Sequence, residues 1–231
     1  MRRRSIAAVL GLCLVSLCLV SAAAGSAPNG IQSKSPDDIV AAALAAGSGA
    51  RSVWIHGSAL DNGSPLAVDL HITKDGGYGH LLAGGLSFDV IRLGPVAYFR
   101  GDLAFWRKAG HASASLASLF AGKWMKVSAT NKDLGQLVAL TQLPVFLHQF
   151  LASHGKLTSK GATTFSGIPV VAIEDQREGS LLYVAATGSP YVVALVKKNG
   201  NSHGTIRFDG WDRPIVVKAP KHPVDLSKFT K

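Results

Sequence analysis

The chain has 231 residues, of which 47% are apolar and only 16% charged. That length suits one domain with a sizeable core, or at most two small ones. The 24 Lys and Arg against 14 Asp and Glu give a formal net charge of +10, but the basic residues are scattered, whereas a nucleic-acid-binding chain concentrates them in a stripe or a recognisable module.

The N-terminus explains part of the charge. Arg2, Arg3 and Arg4 precede an uncharged apolar run from Ser5 to Val20, and Ser21 to Ala27 are small residues. This is the layout of a secretory signal peptide over residues 1–27, with cleavage expected after Ala24 or Ala27. The apolar run is short for a membrane span, which needs about 20 residues. Both cysteines, Cys13 and Cys18, lie inside the signal, so the exported chain has no thiol chemistry to offer. A lipid anchor at Cys18 requires a small preceding residue, and Leu17 stands there. Without the signal, 21 basic residues face 14 acidic ones, a charge of +7. That favours solubility and transient attraction to an anionic membrane surface.

Residues 28–34 contain Pro and Gly and read as a flexible leader to a single domain over 35–231. Ser35-Pro36-Asp37-Asp38 opens a helix: a capping serine, proline at the first helical position and two acids at the positive end of the dipole. Gly47 and Gly49 are expected to end it. Then Val53 and Ile55, Val68, Leu70 and Ile72, and Phe88 and Val90 alternate with polar residues such as Asp69, His71 and Asp89. Period two indicates strands with one covered face. Asp61-Asn62-Gly63-Ser64, Asp75-Gly76-Gly77 and Gly84-Gly85 supply tight turns, so neighbouring strands are antiparallel. Val96 to Arg100 adds a further strand.

Residues 102–154 read as a helical insert, interrupted by a short strand at 123–127. Leu134, Leu137, Val138 and Phe146 belong to an apolar helical stripe that Pro144 kinks or splits. Strand patterns return at 170–173, 181–185, 192–196, 206–208 and 215–217. The order helix, strands, helices, strands gives an α+β fold with an antiparallel meander.

Chemical motifs are sparse. Gly200-Asn201-Ser202-His203-Gly204 matches G-x-S-x-G, but a nucleophile elbow needs a helix after it, and Thr205 to Phe208 is strand-like. A polar hairpin turn is the simpler reading. His56 and His71 share the polar face of their strands and are candidate cross-strand neighbours; solvated histidines account for them without a metal. Glu174, Asp175 and Glu178 read as turn and edge charges. No phosphate loop, dinucleotide fingerprint or zinc spacing occurs, and no cofactor is expected. The aromatic group Tyr98, Phe99, Phe105, Trp106, Phe120 and Trp124 serves either as core anchors or as the lining of an apolar entrance.

Several segments together carry a resemblance. They are Ser52-Val53-Trp54-Ile55-His56-Gly57, Ala97 to Asp102, Phe105 to Lys108, Gly122 to Val127, Gly167 to Val171, Leu182 to Ala185, Ser189 to Val193, Phe208-Asp209-Gly210-Trp211 and Pro214 to Pro220. Over residues 35–227 the chain resembles the LppX/LprA/LprF/LprG-type actinobacterial lipoproteins and, more broadly, LolA-type lipoprotein carriers. The resemblance implies a curved antiparallel half-barrel wrapped around helices with an apolar cavity between. It also implies non-enzymatic binding of lipid acyl chains and carriage of lipids or lipoproteins through the cell envelope; separately from the resemblance, the chain is expected to be a monomer. The degraded lipobox at Leu17-Cys18 favours a soluble shuttle. The cavity lining expected from strand parity and the helical stripe is Val53, Ile55, Val68, Leu70, Ile72, Phe88, Val90, Leu134, Leu137, Val138 and Phe146. The alternative is an envelope interaction or sensor module with a filled core and an exposed apolar patch.

Overall fold

The computed structural model describes residues 27–151 and 154–229; the signal segment and its cysteines lie outside them. Twelve strands form one open sheet in the order β12-β6-β5-β4-β3-β2-β1-β11-β10-β9-β8-β7 among the described residues. They are β1 (Ser52–Asp61), β2 (Ser64–Thr73), β3 (Gly76–Ala83), β4 (Leu86–Leu93), β5 (Val96–Gly101), β6 (Met125–Ser128), β7 (Leu157–Phe165), β8 (Ile168–Asp175), β9 (Ser180–Ala185), β10 (Val192–Asn199), β11 (Ser202–Asp209) and β12 (Val224–Asp225). All neighbours are antiparallel except β12, which runs parallel to β6. The helices are α1 (Pro36–Gly49), α2 (Leu103–Lys108), α3 (Ala114–Phe120), α4 (Gly135–Ala139) and α5 (Leu143–Leu151). The α+β meander expected from the sequence is thus the fold observed.

Local chemistry sets the helix starts. The Ser35 hydroxyl accepts from Asp38 N–H at 3.2 Å and donates to the Asp38 carboxylate at 2.6 Å, with Pro36 at the first position. Asp102 and Ser113 accept from Phe105 N–H and Leu116 N–H to open α2 and α3. Pro144 sits in the first turn of α5, where a missing N–H costs no hydrogen bond, and α4 and α5 are separate helices.

Curvature comes from glycine. Gly57 and Gly204 lie at φ 138° and 140°, near each other on the β1–β11 ladder. A Cβ on Gly57 would overlap Thr205 O, and one on Gly204 would overlap Ala59 Cα. Only glycine permits both the backbone angle and the close approach.

The helices pack on the concave face. Gly47 lies within α1 instead of ending it, and its missing side chain lets Leu147 of α5 and Trp211 press in. Val53, Ile55, Leu70, Ile72, Phe99, Phe105 and Leu147 are fully buried there. The aromatic cluster is mostly core: the Phe105 ring lies 4.9 Å from Phe88 and 5.0 Å from Trp106. Trp124 is instead on the outer face, with the Arg100 guanidinium 4.8 Å from its ring centroid.

Several segments depart from expectation. The strands β3, β7 and β12 have no alternation to announce them. Gly76 and Gly77 belong to β3; the turn occupies Lys74 and Asp75. Residues 215–217 are not a strand but part of a strap, 210–223, that crosses the outer face from β11 to β12. Residues 28–34 are not a loose leader: Pro28 bridges Thr187, Asn29 Nδ2 donates to Ala185 O and Gly188 O, and Ile31 is buried.

Candidate binding cleft

The expected lining residues come together as a packed core. Val53, Ile55, Val68, Leu70, Ile72, Phe88, Val90, Leu134, Val138 and Phe146 are each at most 5% exposed, and Leu137 packs against them half-buried. They share the concave face as strand parity requires. None of them lines the cleft beneath α5, because α4 and α5 close directly onto this part of the sheet.

The open space lies farther along the same face. A cleft of about 350 Å³ sits between the C-terminal half of α5 and the ends of the strands from β2 through β1 to β7. Its roof is Val40, Gln149, Phe150 and Leu151. Its apolar floor includes Ala59, Leu66, Leu157, Ile173, Leu182, Leu195 and Ile206. Parity could have found part of it: Ala59 extends the Val53–Ile55 register, Leu66 extends that of Val68–Leu70, and Phe150 continues the stripe of Phe146.

Polar groups gather on one side of the cleft. Asp175, only 8% exposed, accepts Gly155 N–H at 3.1 Å and Arg177 N–H at 2.8 Å. Lys197 and Glu178 pair at 3.7 Å. His154 and Ser180 complete this side. The cleft is therefore amphipathic, an apolar floor beside a charged lip.

The remaining motifs fall elsewhere. Gly200 and Asn201 form the β10–β11 turn, and Ser202 opens β11 with its hydroxyl accepting Asn62 N–H at 3.0 Å. A strand follows it, not the helix of a nucleophile elbow. His56 and His71 are not paired across β1 and β2; the register sets His56 against Asp69 and Trp54 against His71. The Trp54 ring stacks on both histidines, at 3.9 and 5.5 Å, and His71 stacks on Tyr78 at 4.7 Å. His56 also meets Asp209 at 2.8 Å. Burial holds the His71 pKa below its ordinary value, the Asp69 charge opposing and the His56 charge reinforcing the shift.

No protein-family model and no curated protein sequence matches the chain. Among solved structures, LprF from Mycobacterium bovis is similar with a TM-score of 0.51 at 13% identity, over 80% of this chain and 96% of that one. The lipoprotein LppX from Mycobacterium tuberculosis gives 0.47 at 14% identity, over 80% and 100% of the two chains. At such identity the likeness to LprF is one of fold. The open curved sheet and its helical cover agree with that superposition, and the chain has the α+β fold of LprF.

Proposed function

We propose that the protein is an exported, non-enzymatic carrier that holds a lipid acyl chain in the cleft beneath α5. The observation that carries this reading is the amphipathic cleft itself: an apolar floor with charged groups on one side, on a fold shared with LprF. At about 30 Å³ per water-sized group, its volume admits on the order of twelve such groups, a single acyl chain. Burying about twelve methylenes at roughly 0.8 kcal/mol each supplies about 10 kcal/mol before ordering costs. No catalytic centre is needed for that task. The charged side suits the polar head of the same molecule, and the ligand is carried by a monomer through the cell envelope.

Uptake of a fluorescent fatty acid tests the reading. Leu66 lines the floor at the start of β2, half-buried, so Leu66→Trp fills space without disturbing the closed core. It is expected to lower uptake at least tenfold while the protein unfolds at nearly the wild-type temperature. Ser202→Ala is expected to leave uptake unchanged. A wild type that takes up no amphiphile of any chain length would remove the carrier reading and leave the interaction module in its place.

A further inference from the structure

Among the described residues, Trp54, Leu103, Leu119, Val216 and Phe229 are the large apolar side chains left exposed. Three of them belong to one corner. Leu103 opens α2 and is 41% exposed; Leu119, near the end of α3, is 46% exposed; Phe229 is 39% exposed. Gly122 N–H donates to Gly101 O at 2.9 Å, which ties the end of α3 to the start of α2. The Phe120 ring sits between Trp106, at 5.6 Å, and Phe229, at 5.3 Å. The apolar tips thus project from three segments fastened to one another.

Cations surround this corner. Arg107 shares a face of α2 with Leu103, four residues on, and Lys108 follows it. Lys123 lies just past the Gly122 tie, and Lys228 adjoins Phe229. None of these four has an ion-pair partner among the described residues. Among the described residues, Asp102 caps α2 through Phe105 N–H and Asp225 pairs Lys126 at 3.5 Å, so four cations stand against the single unpaired carboxylate of Asp102. Exposed leucines and an aromatic rimmed by net positive charge have the chemistry of a bilayer-surface anchor.

The corner also faces the right way. In the antiparallel ladder, the end of β5 at Gly101 and the start of β6 at Met125 lie at the same end of the sheet as Ala59, Leu66, Ser180, Lys197 and Gly204. Those last residues line the cleft. We infer that Leu103, Leu119 and Phe229, ringed by Arg107, Lys108, Lys123 and Lys228, form a docking face for an anionic lipid bilayer on the cleft-bearing end of the sheet. The orientation rests on the carrier reading; the docking chemistry does not. Leucines enter the interface while the cations sit at the lipid phosphates, so contact is reversible and salt-sensitive.

Co-sedimentation with vesicles tests this, using the protein recovered from its host. The expected result is binding to equimolar phosphatidylglycerol and phosphatidylcholine, little binding to phosphatidylcholine alone, and release as salt rises to about 0.5 M. Leu103→Ser combined with Leu119→Ser should weaken binding at least tenfold. Neutralising Lys123 as Lys123→Gln should weaken it about fivefold. Lys74→Gln, in the turn at the opposite end of the sheet, should change it less than about twofold. Equal binding to both vesicle types, full binding by the double leucine variant, or an equal loss in Lys74→Gln would overturn the docking face. Fatty-acid uptake without vesicles, measured on the same variants, reads the carrier function separately and is expected to be unchanged.

Discussion

Arg92 shows how one residue can depart from a strand pattern without breaking it. Its parity on β4 places it on the concave face with Phe88 and Val90, and it is 7% exposed. Its guanidinium donates to Thr141 Oγ1 at 2.9 Å, Thr141 O at 3.1 Å and Asp75 O at 3.2 Å. Burial lowers its pKa, with the Asp75 charge opposing. These bonds pin the α4–α5 junction to the sheet, and a charged donor makes them stronger than neutral ones. His71, on the opposite face, lies 3.8 Å from Asp69, but burial outweighs that attraction. Its folded pKa is depressed, so the unfolded chain takes up the proton first as pH falls. Stability from this site is therefore full above the ordinary histidine pKa of about 6.5 and declines below it. His71→Gln should flatten the fall of the thermal midpoint between about pH 7 and pH 5 relative to wild type. A midpoint falling equally steeply in both proteins would show that His71 does not contribute.

At the scale of elements, α4 and α5 differ in what lies beneath them. Val138 of α4 is fully buried, whereas Phe150 near the end of α5 is only partly covered and roofs the cleft. From the stripe alone, a larger residue at position 138 would be expected to fill a void. The closed packing around it predicts a different outcome. Val138→Trp should destabilise the fold by about 1–3 kcal/mol through overpacking, a loss readable in a urea titration. Its effect on fatty-acid uptake should be smaller than that of Leu66→Trp, since the cleft lies elsewhere. Greater loss of uptake in Val138→Trp, with stability intact, would place the ligand under α4 instead.

For the whole molecule, one curved sheet serves two purposes. Along most of its concave face the helices seal it into a core; between the C-terminal half of α5 and the strands from β2 through β1 to β7 they leave it open as a cleft. No described helix is long and apolar enough to cross a membrane. The soluble-shuttle reading predicts a free N-terminus near Gly25 or Pro28, to be read by N-terminal sequencing. A blocked, lipidated Cys18 would replace the soluble shuttle with a tethered one.

Much of this architecture was legible because its causes are local. Ser35, Asp102 and Ser113 cap helices with atoms only a few residues away, and the alternation around Leu70 and Ile55 assigns a buried face from a few residues of strand. Strands β3 and β7 were not legible, for a physical reason. Gly76-Gly77-Tyr78-Gly79 offers no apolar alternation, and the exposed Ser, Thr, Lys and Gly of β7 cover no core. Both are strands because neighbouring ladders supply their hydrogen bonds, which no local pattern encodes. The site divides in the same way. That an apolar concave face exists, and that Val53, Leu70 and Phe146 belong to it, follows from periodicity. Where that face is filled and where it is left open depends on how far α5 extends and which side chains meet across the fold. A packed core and a cleft share one sequence pattern, and only the tertiary contacts set them apart.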